Sequence, residues 1–303
     1  MIELKTPCEG WFSLSAFKVD DSGQEISGSR REVAQPFRNL ITDGGLDRMG
    51  NNADWLTWCQ VGSGSTAPAV GNSALVSRVA ASNSIVGGSL NSQSSPPYYV
   101  ARTNTYRFAA GVAAGNLAEV GIGWASTGGL FSRALILDAL GSPTTITVLA
   151  DELLDVTYQF RQYMPSADWI GSLTLRGVSH SIVGRASGVT SDDWSINTTG
   201  ETAGRVDFRP TVYSGDIGLI TGSPSGGSVL SNLGSSPYSS GSLERKATLI
   251  LGNPVANFAG GIGAFKINMG IGSYQFGFTP KIMKTSVDTL SLTFRHSWSR
   301  KTL

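Results

Sequence analysis

Apolar and polar residues alternate most regularly between residues 106 and 164. Within this range Leu154, Val156, Tyr158 and Phe160 occupy every second position, which is the period of a strand with one buried face. The preceding sequence TTITV is rich in β-branched residues, and GNLAEVGIGWAS alternates apolar with small or polar residues. The pattern predicts four strands separated by short turns, which together form a core sheet.

The N-terminal sequence predicts a hairpin followed by a short helix. GWFSLSAFKVD alternates up to the turn sequence DDSG, and a second strand then continues to Pro36. Apolar spacing in the next segment, with Asp43 as N-cap and Gly50 at the end, predicts a helix over residues 43–50. A compact apolar strand is expected to follow over residues 55–61.

Three stretches rich in Gly, Ser and Pro punctuate these elements. GSGSTAPAVGNS lacks both the Gly-Lys-Ser/Thr of a phosphate loop and the G-x-G-x-x-G of a dinucleotide site, so we interpret it as a surface connection. Residues 77–105 are polar and predict a long covering loop with one aromatic packed down; the alternatives make Tyr98 and Tyr99 strand residues or exposed contacts. Residues 222–242 predict a long exposed loop that is either mobile or ordered by a neighbouring subunit.

Composition supports an all-β fold. With 38 glycines and 15% charged residues in 303, the chain suits short strands and frequent turns better than helices. We expect β-sandwich or jelly-roll-like units with long Gly/Ser-rich loops and at most one or two short helices. A boundary near Pro165 divides the chain into an N-terminal β domain (1–165), containing the helix, and a C-terminal β domain (166–303). The second domain is either related to the first or packed with it into one continuous sandwich.

Similar sequence segments in the two halves of the chain suggest that the second domain is related to the first. ANFAGGIGAF is similar to GNLAEVGIGW, and TLSLTFRHSWSR is similar to LLDVTYQFRQYM. This similarity is consistent with two related β units, and the alternative is chance similarity between amphipathic strands.

Charge and cysteine content narrow the environment and the partners. The formal net charge of +1 gives no global field for nucleic acid, and no apolar stretch is long enough to cross a membrane. Cys8 and Cys59 are expected to be two independent buried thiols, with a disulfide as the alternative. The simplest hypothesis is synthesis in a reducing cytoplasm.

No set of residues with catalytic spacing stands out. The neighbouring carboxylates are Asp138, Asp151, Glu152 and Asp155. Acidic residues at predicted turns cap and solvate the chain more often than they cleave sugars. Asp192 and Asp193 beside Trp194 suit a sugar contact better, although a loop with a buried tryptophan remains the simpler interpretation.

The histidines, His180 and His296, lie in alternating segments without a metal-ligand or triad partner at a suitable spacing. We therefore expect satisfied strand histidines, no metal, no cofactor and no enzymatic activity.

A resemblance adds a functional expectation. The succession GNLAEVGIG, LFSRALILD, PTTITV and DELLDVTYQFRQY resembles stretches of virion structural proteins of tailed bacteriophages. NLITDGGLDRMG and VGSGSTAPAVGNSALVSRV resemble the same class, in which a loop follows a short helix. The resemblance implies a tail-associated adaptor, fibre-base or baseplate component of the virion, made in the host bacterial cytoplasm. Such a protein works by assembling with copies of itself and with other virion proteins.

Two alternatives stay open at this stage. One is a capsid decoration protein, and the other is a carbohydrate-binding or receptor-binding tail module that contacts a host surface glycan through some of its seven tryptophans and eight tyrosines. The residues expected to contact a neighbouring chain are the aromatic and aliphatic ones in the two polar segments: Tyr98, Tyr99, Val229, Leu230, Leu233 and Tyr238.

Overall fold

The computed structural model describes residues 1–50, 54–189, 209–230, 233–235, 237–269 and 272–302. Strands account for 55% and helix for 3%, so the predicted all-β class is confirmed. The elements are β1 (Ile2–Phe17), β2 (Arg31–Arg38), β3 (Leu40–Ile41), α1 (Asp43–Met49), β4 (Trp58–Gly62), β5 (Arg78–Ser82), β6 (Ile85–Gln93), β7 (Tyr99–Phe108), β8 (Gly115–Leu117), β9 (Glu119–Gly123), β10 (Leu130–Leu135), β11 (Ile146–Val148), β12 (Leu153–Tyr163), β13 (Trp169–Leu175), β14 (Val178–Gly188), β15 (Arg209–Tyr213), β16 (Ser228–Leu230), β17 (Leu233–Ser235), β18 (Glu244–Leu251), β19 (Ile262–Met269), β20 (Gly272–Ile282) and β21 (Leu290–Arg300).

Strand β1 organises the largest sheet. Its even-numbered residues face the core and most of its odd-numbered residues face outward, as strand periodicity requires. One edge pairs antiparallel with β12. The other edge pairs parallel with β21 up to Cys8 and then antiparallel with β2 from Trp11 onward. The predicted N-terminal hairpin is confirmed, although β1 begins as early as Ile2.

Four sheets make up the described structure. The eight-stranded sheet has the order β17-β18-β21-β1-β12-β7-β6, with β2 beside β1. A five-stranded sheet has the order β3-β10-β9-β4-β5, and a six-stranded sheet has the order β13-β14-β20-β19-β15-β16. Strands β8 and β11 form a separate pair. The four strands predicted between residues 106 and 164 are therefore present as strands but divided among three sheets.

The eight-stranded sheet is a common layer for two sandwiches. On the β12 side, Phe160 packs against Phe131 of the five-stranded sheet with ring centroids 5.6 Å apart. On the β21 side, Phe294 packs against Phe276 of the six-stranded sheet at 5.7 Å. Residues on both sides of the proposed boundary at Pro165 thus share one sheet, because β18 and β21 lie in the same layer as β1 and β12.

The predicted helix is present, with a different cap. Its N-cap is Thr42, whose Oγ1 accepts a hydrogen bond from Gly45 N at 2.8 Å, so the prediction of Asp43 as N-cap was wrong by one residue. Helix α1 lies directly on β10, because a Cβ on Gly45 would come within 2.2 Å of Phe131 O. Only glycine allows this close approach.

Two further predictions were wrong. The strand placed at residues 55–61 begins at Trp58, and Trp55 is instead a fully buried side chain in a turn. The covering loop placed at residues 77–105 contains β5, β6 and the start of β7. The Gly, Ser and Asn residues of β6 have low intrinsic strand propensity, but backbone pairing with β7 stabilises β6 as a strand.

The two similar segments that form β12 and β21 both pair with β1 but run in opposite directions relative to it. Strands β12 and β21 flank β1 on opposite edges, and β1 runs antiparallel to the first and parallel to the second. Each follows a hairpin in a smaller sheet, β9-β10 and β19-β20 respectively.

Candidate functional site

The solvent-facing side of the eight-stranded sheet, here called the open face, is formed by outward residues of β1, β12 and β7. Register places Glu9 of β1 opposite Arg161 of β12, and Trp11 opposite Gln159. The next strand, β7, brings Thr103 opposite Gln159. Charged, aromatic and hydroxyl-bearing side chains therefore form adjacent rows across three strands.

Glu9 lies where β21 ends and β2 meets β1, and three cations surround it. Arg38 Nη2 and Lys301 Nζ lie 3.3 and 3.7 Å from Glu9 Oε2. Arg161 Nη1 lies 3.8 Å from Glu9 Oε1. The backbone places Lys301 there, because Lys301 N donates a hydrogen bond to Cys8 O at 2.8 Å. One carboxylate thus faces three positive charges.

The Glu9 carboxyl is 8% exposed and accepts a hydrogen bond from Tyr163 Oη. Burial opposes its ionisation, but the hydrogen bond from Tyr163 and the charges of Lys301 and Arg38 outweigh burial, so the pKa of Glu9 is lowered. Burial and the same carboxylate raise the pKa of Tyr163 to about 12. Glu9 is therefore ionised at neutral pH and Tyr163 keeps its proton.

Aromatic rings hold the cations in place. The guanidinium carbons of Arg38 and Arg161 lie 4.9 and 5.5 Å from the Trp11 ring centroid. Arg161 also lies 4.9 Å from the Tyr99 ring, and Lys301 Nζ lies 3.9 Å from the Tyr163 ring. Such cation–π contacts restrict the side chains without consuming their N–H donors.

Two clefts adjoin this cluster. The first, about 500 Å³, is bounded by Glu9, Arg38, Arg300 and Lys301 and has Pro68 on its wall. The second, about 350 Å³, lies beyond Trp11 and Arg161, and half of its lining residues carry hydroxyl or amide groups: Ser13, Thr103, Thr157 and Gln159. A hydrogen bond of 3.1 Å from Gln159 Nε2 to Thr103 Oγ1 and one of 2.6 Å from Arg161 Nε to Gln159 Oε1 connect this lining to the cation cluster.

A second charged cluster is sealed inside the protein and holds the wall of the first cleft. Glu119 and Arg133 form a salt bridge of 2.8 Å, with side chains 0% and 1% exposed. Glu119 also accepts backbone hydrogen bonds from Gly64, Val76 and Ser77. The other end of Arg133 donates to Thr66 O, Ala67 O and Asn72 Oδ1. The pair thereby fixes residues 63–77, which include most of the predicted surface connection GSGSTAPAVGNS (62–73) and carry Pro68.

The structure places the predicted contact residues in different environments. Tyr98 is buried in the core, whereas Tyr99 is half-buried on the open face, 5.4 Å from the Tyr163 ring. Val229 is half-buried in β16, opposite Val212 of β15. Leu230 and Leu233 belong to β16 and β17 by their backbone.

Tyr238 contradicts the prediction that residues 222–242 form a loop that is either mobile or ordered by a neighbouring subunit, because this residue is anchored within its own chain. Its ring stacks on Trp298 at 5.7 Å, and its hydroxyl donates to Asp47 Oδ1 at 2.7 Å. Asp47 also accepts hydrogen bonds from Ser240 Oγ and Gly241 N, so helix α1 binds the end of this loop.

The carboxylates close in sequence have structural partners. Asp138 accepts backbone hydrogen bonds within its own turn, and Asp151 pairs with Lys18 at 2.7 Å. Glu152 pairs with Arg31, and Asp155 pairs with Arg107 at 2.8 Å. Asp192, Asp193 and Trp194 lie outside the described residues.

The histidines and cysteines lie in buried strands. His180 Nδ1 lies 2.6 Å from Pro280 O, as predicted for a satisfied strand histidine. His296 Nε2 lies 2.7 Å from Thr6 Oγ1, but its Nδ1 is buried without a hydrogen-bond partner, so only one of its ring nitrogens is satisfied. Cys8 and Cys59 are free and buried, which confirms the prediction of independent thiols. Burial raises the pKa of both thiols. Within the described ranges no three or more His, Cys, Asp or Glu residues are grouped to hold a metal ion, and no helix is long and apolar enough to span a bilayer.

Sequence reasoning missed the open face. From the sequence, no functional role was assigned to Arg300 and Lys301, and Glu9, Arg38 and Arg161 lie far apart in the chain. The available signal was the charged or aromatic residue at alternate positions of β1 and β12, which gains meaning only with the register. Comparisons of the chain with models of known protein families, with curated proteins and with solved structures found no match.

Proposed function

We propose that the protein is a structural component of a bacteriophage particle, tail-associated, that assembles with copies of itself by pairing of its β6 edges. The observation that carries this proposal is the character of β6 (Ile85–Gln93), the terminal strand of the eight-stranded sheet. Most of its residues are exposed on both faces, and only Leu90 and Gln93 are half-buried. No charged residue occurs between Arg78 and Arg102.

Such an edge is unusual because free strand edges are normally protected. An unpaired row of N–H and C=O groups templates pairing with another chain, and charges, prolines or short strands prevent this. Strand β2 illustrates protection, since it carries Arg31, Glu32, Pro36 and Arg38. Strand β6 has nine residues and none of these features. An assembly protein requires an edge that can be paired in this way.

A second copy of β6 is the occupant that fits. Two β6 strands related by a two-fold axis pair antiparallel and join two eight-stranded sheets into one. The absence of charged residues means that the two copies of β6 meet without like-charge repulsion. The sequence resemblance to virion structural proteins supports a role for this assembly in a phage particle. A capsid decoration protein would use the same edge, and the copy number per particle separates it from a tail component.

The oligomeric state of the purified protein tests the edge. Light scattering coupled to size exclusion is expected to show a dimer that Ser89→Lys with Asn91→Lys converts to a monomer. A matched control places the same charges on the exposed positions Ser172 and Thr174 of the other long edge, β13, and should remain dimeric. A monomeric wild type, or dissociation only in the β13 variant, would overturn the β6 interface.

Mass spectrometry of purified particles tests the virion assignment, and absence of the chain from them would contradict it.

A further inference from the structure

The charge balance of the open face differs from that of the other charged clusters. Asp155 and Glu25 balance Arg30 and Arg107 at the far end of the face. Around Glu9, by contrast, three cations share a single carboxylate. In the part of the chain that the structure describes, Glu9 is the acid that pairs with each of them.

The three cations keep unused donor capacity. Their nitrogens lie 3.3 to 3.8 Å from the Glu9 oxygens, longer than the roughly 2.7 to 2.9 Å of a close charge-assisted hydrogen bond. The side chains of Arg38, Lys301 and Arg161 remain 40%, 32% and 28% exposed. Surplus positive charge with free N–H groups therefore borders the clefts described above.

The two clefts differ in chemistry in a way that fits one kind of ligand. The larger combines the cationic side chains Arg38 and Lys301 with the apolar side chains of Leu40, Ile41 and Pro68. The smaller offers hydroxyl and amide groups next to Trp11. Anionic substituents suit the first cleft, and ring hydroxyls suit the second.

We propose that the open face binds an acidic oligosaccharide across both clefts, with an anionic substituent at Arg38 and Lys301 and sugar hydroxyls along Ser13, Thr157 and Gln159. An acidic peptide satisfies the cations equally well, and it is the alternative that poly-L-glutamate tests. The second cleft reaches Thr103, which pairs with Ser89 of β6, so the site lies on the face of the sheet, whereas the proposed assembly uses the unpaired backbone edge of β6.

Calorimetry with defined probes tests the site. Hexamers of galacturonate, of mannuronate and of hyaluronan disaccharide units supply the acid, maltohexaose is the neutral sugar, and poly-L-glutamate of matched charge is the acidic peptide. At least one acidic sugar is expected to bind, at least tenfold more tightly than maltohexaose and poly-L-glutamate. Equal affinity for poly-L-glutamate, or binding of none of the acidic sugars, would overturn the proposal.

Variants locate the binding. Arg38→Gln with Lys301→Gln should reduce the affinity at least tenfold. Lys5→Gln with Lys246→Gln removes the same charge from outward positions farther along this sheet and should change affinity less than twofold. An equal loss of affinity in both double variants would mean that the protein attracts anions without a specific site.

Ser13→Ala with Thr157→Val should weaken binding of the hexamer but leave binding of monomeric galacturonate unchanged. Unaltered hexamer binding would show that the second cleft is not part of the site.

Discussion

Two glutamates show how the same ionic chemistry serves two purposes in this protein. Glu119 is fully buried, balanced by the single guanidinium of Arg133, and its remaining lone pairs accept backbone N–H groups. Glu9 is nearly buried, yet its three cations are partly exposed and exceed it in charge. A balanced and saturated pair fixes a loop, whereas an unbalanced one keeps capacity for a ligand.

The two clusters are also physically connected. Residues 63–77, held by Glu119 and Arg133, contribute Pro68 to the cleft beside Glu9. The same loop meets the start of α1, where Asp43 N donates to Val70 O at 2.8 Å. The buried pair therefore shapes the surface site without contacting a ligand.

The largest expected effect is loss of the buried balance. Arg133→Met leaves Glu119 charged and without its cation, which costs roughly 3 to 5 kcal/mol. Urea unfolding should report this loss, and limited proteolysis should detect release of residues 63–77. Arg48→Met makes the same change in the exposed pair with Asp54 and should cost about 1 kcal/mol or less. Similar losses in the two variants would mean that burial does not distinguish the clusters.

An uncharged polar network lies on the core-facing side of β1, and it can be compared with the two glutamate clusters. His296 contacts Thr6, and Gln162 Nε2 donates to Thr6 Oγ1 at 2.8 Å. Burial lowers the pKa of His296 from 6.5 to about 4. Since the unfolded chain takes up a proton that the folded chain refuses, stability is complete above about pH 6.5 and falls as the pH drops toward 4, by about 3 kcal/mol.

Urea unfolding between pH 7 and pH 4 measures this dependence. His296→Gln should flatten the acid limb, and His180→Gln, the matched control, should retain it. An unchanged acid limb in His296→Gln would show that this histidine does not couple folding to pH.

Asp47 is a third kind of carboxylate, since the hydrogen bonds it accepts from residues 238–241 all come from uncharged donors. Burial opposes its ionisation, but hydrogen bonds from Gly241, Ser240 and Tyr238 outweigh burial and lower its pKa. Asp47→Ala should cost about 1 to 2 kcal/mol and speed proteolysis within residues 222–242. Asp138→Ala removes a carboxylate that caps a different turn and should leave that cleavage unchanged. Equal cleavage in wild type and Asp47→Ala would mean that the loop is ordered by other contacts.

The sequence predicted what depends on local pattern. Alternation in β12 and in the second half of β1, the short helix near residue 43 and the all-β class all follow from residue spacing and composition. Strand β6 was missed because its Gly, Ser and Asn residues have weak strand preference, and its order comes from pairing with β7.

The candidate site depends on long-range pairing that composition does not encode. Glu9, Arg161 and Lys301 meet only because β1 pairs antiparallel with β12 on one edge and parallel with β21 on the other. A shift of one residue in either register would turn these side chains to the other face. The partners of Glu119 were hidden for the same reason.

The smallest effect on stability is expected at Glu9. Glu9→Gln keeps an acceptor for Tyr163 and removes only the charge, so its cost should be about 1 kcal/mol or less. The same change leaves three cations without a counter-ion, and binding of the acidic hexamer should become on the order of threefold tighter. Glu3→Gln, on the same strand and face and paired with Arg295 at 2.7 Å, is the control and should leave affinity unchanged. Loss of binding in Glu9→Gln would instead make Glu9 a direct acceptor for sugar hydroxyls, and a cost of several kcal/mol would place it with Glu119 among the carboxylates on which the fold depends.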